Sequence, residues 1–410
     1  MEPKIYTSRD HHIRNDLIDP NALSVLRRLH EGGYIAYLVG GGVRDLLMRK
    51  RPKDYDIATS ALPEEVKRLF RNCILIGRRF RLAHIRFKYQ IIEVSTFRAG
   101  EPTEEGLVVQ DNIWGTPEED VLRRDFTING LFYDPLDHRI IDYVGGFEDL
   151  QHHLLRSIGK PSLRFKQDPV RMIRMQKFRA RFGFNVESEE LKALEKCRRE
   201  ITKSSPARVL EEILRMLELG YAESFFQLLL ESKLLEILFP KLTTYCNKKE
   251  TRDQIFAYLK GVDAMNNRGH YRPLDRGILG AALVYPILEY EIQERYLSKQ
   301  VIPHLGEIMS LAHELIDQLL FDAFSHFPRK IRVAMHTILV MQYRLTPFDP
   351  KKRARPRIAR QRDFIHSITF LKMRALMDSS LFKTYERWKE THRLAQCEQD
   401  ERRMQKSRHS

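Results

Sequence analysis

The chain has 410 residues, with 70 Lys and Arg against 55 Asp and Glu, a formal charge of +15, and 42% apolar residues. That length and apolar share support several cores and exclude a collagen-like, low-complexity or globally disordered chain. The four cysteines, at positions 73, 197, 246 and 397, are too scattered for a zinc ribbon or a Cys-x-x-Cys pair and too sparse for a secreted disulfide scaffold.

Residues 1–20 read as an N-terminal extension, of which Met1–Arg14 is polar and charged, without the apolar stretch of a signal peptide. Leu23–Gly32 has helical spacing, and Gly32-Gly33 stops it. Tyr34–Val39 reads as a strand, Gly40-Gly41-Gly42 as a sharp turn, Val43–Met48 as a helix and Asp54–Ala58 as a short strand. Pro63–Phe70 reads as a helix, and Ala83–Phe87 with Ile91–Thr96 as a hairpin. Residues 99–119 are loop-like, and Phe126–Phe132 is expected to be helical. Beyond Pro161 the apolar spacing is helical almost throughout: Val170–Phe182, Glu187–Lys203, Pro206–Gly220 and Glu223–Leu238 open this part. The longest apolar run, Gly277–Leu288, is broken by Pro286 and falls short of the roughly 20 residues a bilayer span needs. A soluble cytoplasmic protein without a membrane partner is expected.

The charge is concentrated. Residues 351–410 hold 17 Lys and Arg against 7 Asp and Glu. Lys351, Lys352, Arg353, Arg355 and Arg357 form a cluster without acids, as a phosphate-contacting arm would. Phe364, Ile368, Phe370 and Leu371 follow, so part of this tail is expected to pack.

Two features carry chemistry. In Lys53-Asp54-Tyr55-Asp56-Ile57, side chains two apart on a strand share a face, so Asp54 and Asp56 project together. Carboxylates that close repel unless a cation lies between them, and Mg²⁺ is typically held by few carboxylates plus substrate phosphates. The Gly40–Gly42 turn, followed by Arg44, joins a strand to a helix start; glycines admit a phosphate close to the backbone, and an arginine fork suits its oxygens. The residues fit neither a dinucleotide fingerprint nor a Walker A loop.

A glycine turn about a dozen residues before an Asp-x-Asp strand resembles the nucleotidyltransferase head of the polymerase β superfamily. Further segments resemble its class II enzymes: Glu93 on a neighbouring strand, Arg123-Arg124-Asp125-Phe126-Thr127-Ile128-Asn129, Asp142–Gly146, and Asp168-Pro169-Val170-Arg171-Met172-Ile173-Arg174. That class contains tRNA CCA-adding enzymes and bacterial poly(A) polymerases, and Leu75–Phe87 looks like the poly(A) polymerase signature. Arg78, Arg79 and Arg81 within it could hold the 3′ end of an RNA primer.

The resemblance implies an α+β fold: a polymerase β-like head, a small mixed sheet with helices at 21–158, then an all-helical neck (159–220), body (221–350) and tail (351–410). It implies adenylate transfer from ATP to RNA 3′ ends, with CCA addition as the alternative. Asp54 and Asp56 would bind two Mg²⁺ ions, with Asp125 and Glu93 as further catalytic carboxylates. Gly41, Gly42, Arg44, Arg123 and Arg124 would cradle the triphosphate. Asp168 and Arg171, expected on one helix face, would read the base, supported by Arg174. The family often has Glu where Gln167 stands, which leaves one charge missing beside that pair. A monomer is expected, with RNA-decay or RNA-chaperone proteins as the implied protein partners.

Overall fold

Helix α1, Pro20–Glu31, starts where Asp19 accepts the Asn21 N–H and Pro20 fills the first turn; Ala22, Val25, Leu26 and Leu29 make its buried stripe. The computed structural model to which it belongs describes residues 2–77, 82–99, 113–267, 273–322, 324, 327–349, 355–361 and 363–408. The chain divides into two units, Met1–Glu200 and Ile201–Ser410.

The first unit is built on one sheet. Its strands in chain order are β1 (Lys4–Tyr6), β2 (Ala36–Val39), β3 (Asp56–Thr59), β4 (Cys73–Ile76), β5 (Leu82–Arg86) and β6 (Ile91–Thr96). Two minor strands, β7 (Arg98–Ala99) and β8 (Ile113–Trp114), pair with each other, and β9 (Leu131–Asp134) and β10 (Arg139–Asp142) complete the sheet. The spatial order is β1-β10-β9-β2-β3-β6-β5-β4. All neighbours run antiparallel except β3 and β6, which are parallel and place Asp56 opposite Glu93.

The pleat sorts side chains into two cores. Ile57, Ile85, Ile92 and Val94 pack with the stripe of α1 and with Val66 of α3 (Pro63–Leu69). Ala58, one residue on, packs on the other face with Val39, Phe97, Phe132 and Ile158. Asp56 shares the face of Ala58, while Tyr55 joins the first core. The carboxylate therefore lies across the sheet from α1.

Helix α2, Gly41–Leu47, begins at Gly40, whose φ of 64° a side chain would disfavour. It ends in a Schellman motif: the Arg49 N–H donates to the Leu46 carbonyl at 3.0 Å and the Lys50 N–H to that of Asp45 at 2.8 Å. Arg49 takes the left-handed conformation, φ 56°, that glycine usually supplies, at a cost of about 1 kcal/mol.

Two expectations are corrected. Residues 4–6 are not part of an extension; they form the sheet edge on β10. Phe126–Phe132 is not a helix. Thr127–Asn129 makes a single 3₁₀ turn, and Leu131–Asp134 is a strand buried on both faces, between β10 and β2. The unit is completed by α4 (Pro117–Leu122), α5 (Gly146–Gln151), α6 (Pro161–Gln167), α7 (Val170–Phe182) and α8 (Ser188–Cys197), with the ribbon of β11 (Leu154–Leu155) and β12 (Asn185–Val186).

The second unit is helical throughout its described residues, from α9 (Pro206–Glu218) through α10 (Ala222–Glu231), α11 (Leu234–Leu238), α12 (Pro240–Cys246) and α13 (Lys249–Asn266). The apolar run lies in α14 (Arg276–Arg295), buried from Gly277 to Leu288 with Pro286 inside the helix. After α15 (Leu305–Ile316) and α16 (Arg329–Leu345), the basic tail folds as α17 (Phe364–Met377) and α18 (Phe382–Arg408). Ile358, Phe364, Ile368, Leu371 and Trp388 pack against Met341 and Leu345 of α16. No helix among the described residues is long and apolar enough to cross a membrane.

Candidate active site

Asp56 opens β3, and Asp54 lies in the bend two residues before it, not on the strand. Parallel pairing brings Glu93 alongside Asp56, and antiparallel pairing puts His84 next to Glu93, with Nε2 3.6 Å from the carboxylate. The Asp56 carboxyl, accessible at the surface, is pushed up to about 6 by desolvation, then by the charges of Glu93 and Asp54, against the pull of Arg124. Three carboxylates thus share one neighbourhood.

The glycine turn lies over this group. A Cβ on Gly40 would meet Arg124 Nη1 at 3.1 Å, and one on Gly42 would meet the Asp54 carbonyl at 3.6 Å. Arg124 binds the Asp120 carboxylate through Nε and Nη2, at 3.2 and 2.8 Å, and the Asn129 carbonyl through Nη1. Its face covers Phe132.

Beneath the turn is a buried polar network organised by α7. Residues 171, 174, 178 and 181 fall on one face at spacings of three, four and three. Arg171 donates to the Arg123 carbonyl at 2.9 Å, Arg174 to Asp125 at 2.7 Å and Arg181 to Asp45 at 2.9 Å, while Phe178 packs edge-on against Phe126. Arg164 of α6 donates to the carbonyls of Leu122 and Arg124 at 3.0 and 2.7 Å. These arginines satisfy carbonyls that the end of α4 leaves without helical partners. Burial and the nearby Arg171 charge lower the Arg164 guanidinium to about 10.

Asp125 is buried. One carboxylate oxygen accepts the Phe126 N–H and the Asn129 amide, at 2.8 and 2.9 Å; the other accepts Arg174. Burial alone would raise this carboxyl, but Arg174, Asn129, the Phe126 N–H and Arg171 together bring it down to about 2. Asp125 is thus placed as a clamp between the Arg-Arg-Asp segment and α7.

Arg44 also departs from the expected placement. The residue is 4% exposed, and its guanidinium donates to Asp45 through Nε and Nη2 and to Asn129 through Nη1 and lies over the rings of Phe178 and Phe182. Its fork is turned into the protein, where it holds the helix that carries the glycines. Replacing Arg44 by Lys should cost about 2–3 kcal/mol, because a point charge cannot keep the paired bonds or the stacking. Thermal denaturation of Arg44→Lys measures this, and an unchanged midpoint would refute it.

Asp168 is the C-cap of α6, two residues ahead of α7, so it shares no helix with Arg171; the Arg171 N–H still donates to its carbonyl at 3.0 Å. Arg123 donates to the Ala99 carbonyl at 2.6 Å. Arg78, Arg79, Arg81, Lys351, Lys352 and Arg353 lie outside the described residues. Arg355 and Arg357 are exposed. Asn129, Asp45, Arg164 and Arg181 complete this network, and none of them has a role assigned from the sequence. Asn129 ended the motif already singled out, and Arg181 continues the spacing of Arg171 and Arg174 by seven.

Among the described residues, no group of three or more His, Cys, Asp or Glu side chains is arranged to hold a metal ion by itself. The hard oxygen donors of Asp54 and Asp56, crowded by Glu93, still suit a cation that takes its remaining ligands from substrate phosphates and water.

Two family models match the chain: "Poly A polymerase head domain" at residues 36–156, and "Probable RNA and SrmB- binding site of polymerase A" at residues 183–246. Poly(A) polymerase I of Salmonella typhimurium is 42% identical over 299 residues, 70% of this chain. The CCA-adding enzyme of Lactobacillus helveticus is 36% identical over 238 residues, 56% of this chain. The chain spans 64% of the length of the former and 56% of the latter. The CCA-adding enzyme of Bacillus stearothermophilus, solved with CTP, is similar in fold: TM-score 0.60 at 22% identity, over 91% of this chain and 82% of that one.

Proposed function

We propose that this chain, whose residues 36–156 match the poly(A) polymerase head, belongs to that family and transfers AMP from ATP to RNA 3′-hydroxyls, releasing pyrophosphate. The observation that carries the reading is the register of Asp56 with Glu93 under the glycine turn, which gathers negative charge where a triphosphate can arrive. The choice of ATP over the CTP/ATP pair of CCA addition rests on similarity: 42% over 70% of the chain to a poly(A) polymerase, against 36% over 56% to a CCA-adding enzyme.

Asp54 and Asp56 would hold two Mg²⁺ ions, which when bound acidify the 3′-hydroxyl and neutralise the triphosphate. Gly41, half-buried, would let phosphate oxygens approach the backbone, while Gly42 is buried against Leu38 and the Asp54 carbonyl and shapes the turn. Arg124, fixed by Asp120 and Asn129, sets positive charge under the same turn. Glu93, paired with Asp56 across the strands and 3.6 Å from His84 Nε2, is the further carboxylate of the site. Asp168 and Arg171 would read the edge of the base, with Arg171 held by the Arg123 carbonyl. Asp125 and Arg44 act at one remove, keeping α7 and α2 in place. The exposed Arg355 and Arg357 are assigned to RNA phosphates. A monomer in the cytoplasm, in contact with RNA-decay or RNA-chaperone proteins, completes the reading.

The test is extension of two labelled RNAs, an unstructured oligonucleotide and a tRNA lacking its CCA end, with Mg²⁺ and ATP, CTP or both. Long tails on the oligonucleotide from ATP alone are expected. Addition of only three nucleotides to the tRNA, requiring both triphosphates, would replace this reading with CCA addition.

A further inference from the structure

Across the sheet from the carboxylates, on the side of α1, lies a cavity of about 1320 Å³ between the segment Ser8–Pro20 and the turn that follows α2. Its walls include Leu17, Leu23 and Leu46, and its rim carries Arg14, Arg49, Lys50 and Arg51. Leu17 is 43% exposed, so an apolar surface is left uncovered. Arg14 is paired with Asp16, but among the described residues neither Arg49 nor Arg51 has a carboxylate partner. Lys50 is turned to the Phe182 ring, 5.1 Å from its centroid, which leaves Arg49 and Arg51 as two cations at an open apolar cavity; they match the alternating chemistry of single-stranded nucleic acid, with phosphates for the rim and base faces for the wall.

Arg49 adds a second, independent argument. It occupies the left-handed position of the Schellman motif, where glycine relieves strain and closes the helix equally well. A long cation held there against its backbone preference points to a role for its charge. The position also fits a polymerase. Arg51 is three residues from Asp54, so their Cα atoms are no more than about 11 Å apart.

We propose that this cavity binds a stretch of single-stranded RNA, holding part of the primer behind the carboxylates. The inference rests on the reading of RNA as substrate, but its test needs no catalysis. Binding of a fluorescein-labelled single-stranded oligo(A) to the full chain is followed by anisotropy over a range of salt concentrations, without ATP. The double variant Arg49→Gly/Arg51→Gln is compared with Arg27→Gln, an exposed α1 arginine outside the cavity.

Two lost phosphate contacts should reduce the salt slope by about 1.4 and weaken binding roughly tenfold at moderate salt. Arg27→Gln should leave both unchanged. Arg49→Gly should not lower the melting temperature, which separates lost contacts from lost fold. An unchanged slope in the double variant, or an equal loss in Arg27→Gln, would overturn the proposal. So would displacement of oligo(A) by equimolar AMP, since the cavity would then take free nucleotides. A reduced slope in a protein that extends neither RNA would keep the cavity and sink the assigned activity. Extension with an unchanged slope would do the reverse.

Discussion

Asp56→Asn is expected to lower AMP transfer by at least about a thousandfold, the equivalent of ~4 kcal/mol of transition-state stabilisation, while leaving the fold intact. The amide keeps the shape and the first residue of β3 but cannot share a cation with Asp54. The same variant makes a stability signature. The Asp56 carboxyl is raised to about 6 in the fold, above its ordinary 3.8, so the folded state binds its proton more tightly than the unfolded one. In the absence of metal, the wild-type protein is therefore relatively favoured below about pH 4 and loses that advantage as pH rises through about 6. Asn, which mimics the protonated form, should remove this dependence and leave the melting temperature at neutral pH equal or higher. Mg²⁺ should raise the wild-type melting temperature at neutral pH and leave that of Asp56→Asn unchanged. A variant that retains transfer, or one that melts lower than wild type at neutral pH, would contradict the assignment.

Asp125→Ala should produce the opposite pattern, a large loss of stability that drags activity with it. The variant removes the acceptor of the Phe126 N–H and the Asn129 amide and strands Arg174 on α7. Breaking a buried pair in this way costs about 3 kcal/mol, or ~6–12 °C in the melting of a unit of this size. The sign with pH is fixed by the depressed carboxyl. At about 2 against an ordinary 3.8, its contribution of about 2 kcal/mol is complete above roughly pH 4 and is lost as pH falls through 2. Asp125→Asn should keep the two neutral hydrogen bonds and cost about half as much. Circular dichroism melts of the two variants and of Arg174→Ala decide the matter. Additive rather than shared losses for Asp125→Ala and Arg174→Ala would show that the pair is not a unit.

Much of this site was legible because it is local. Asp54, Asp56 and the glycines are read within eighteen residues of one another, and Glu93 comes with the family resemblance, on the strand read at Ile91–Thr96. The two errors of orientation are local as well. Asp54 and Asp168 each stand just outside the element they were assigned to, where periodicity no longer fixes direction. Arg44 is a different case. Nothing near it in the chain announces that Phe178 and Phe182, from α7, will form its bed, and a motif arginine beside a glycine turn reads as a phosphate ligand until those rings are placed. The strand Leu131–Asp134 was missed because a short, fully buried apolar run carries neither period.

The pairing of β1 with β10 has a consequence for how the protein comes to be folded. Lys4–Tyr6 completes the sheet only when Arg139–Asp142 is available. During synthesis Lys4–Tyr6 must therefore wait, without a strand partner, for a hairpin more than a hundred residues downstream. Closing so long a loop is entropically costly and belongs to the slow end of domain folding. Until it closes, β10 presents an open edge on which a second nascent chain could pair. A tag fused before Lys4, or removal of residues 1–7, would act at that step, and its first symptom would be aggregation on expression rather than a slower enzyme.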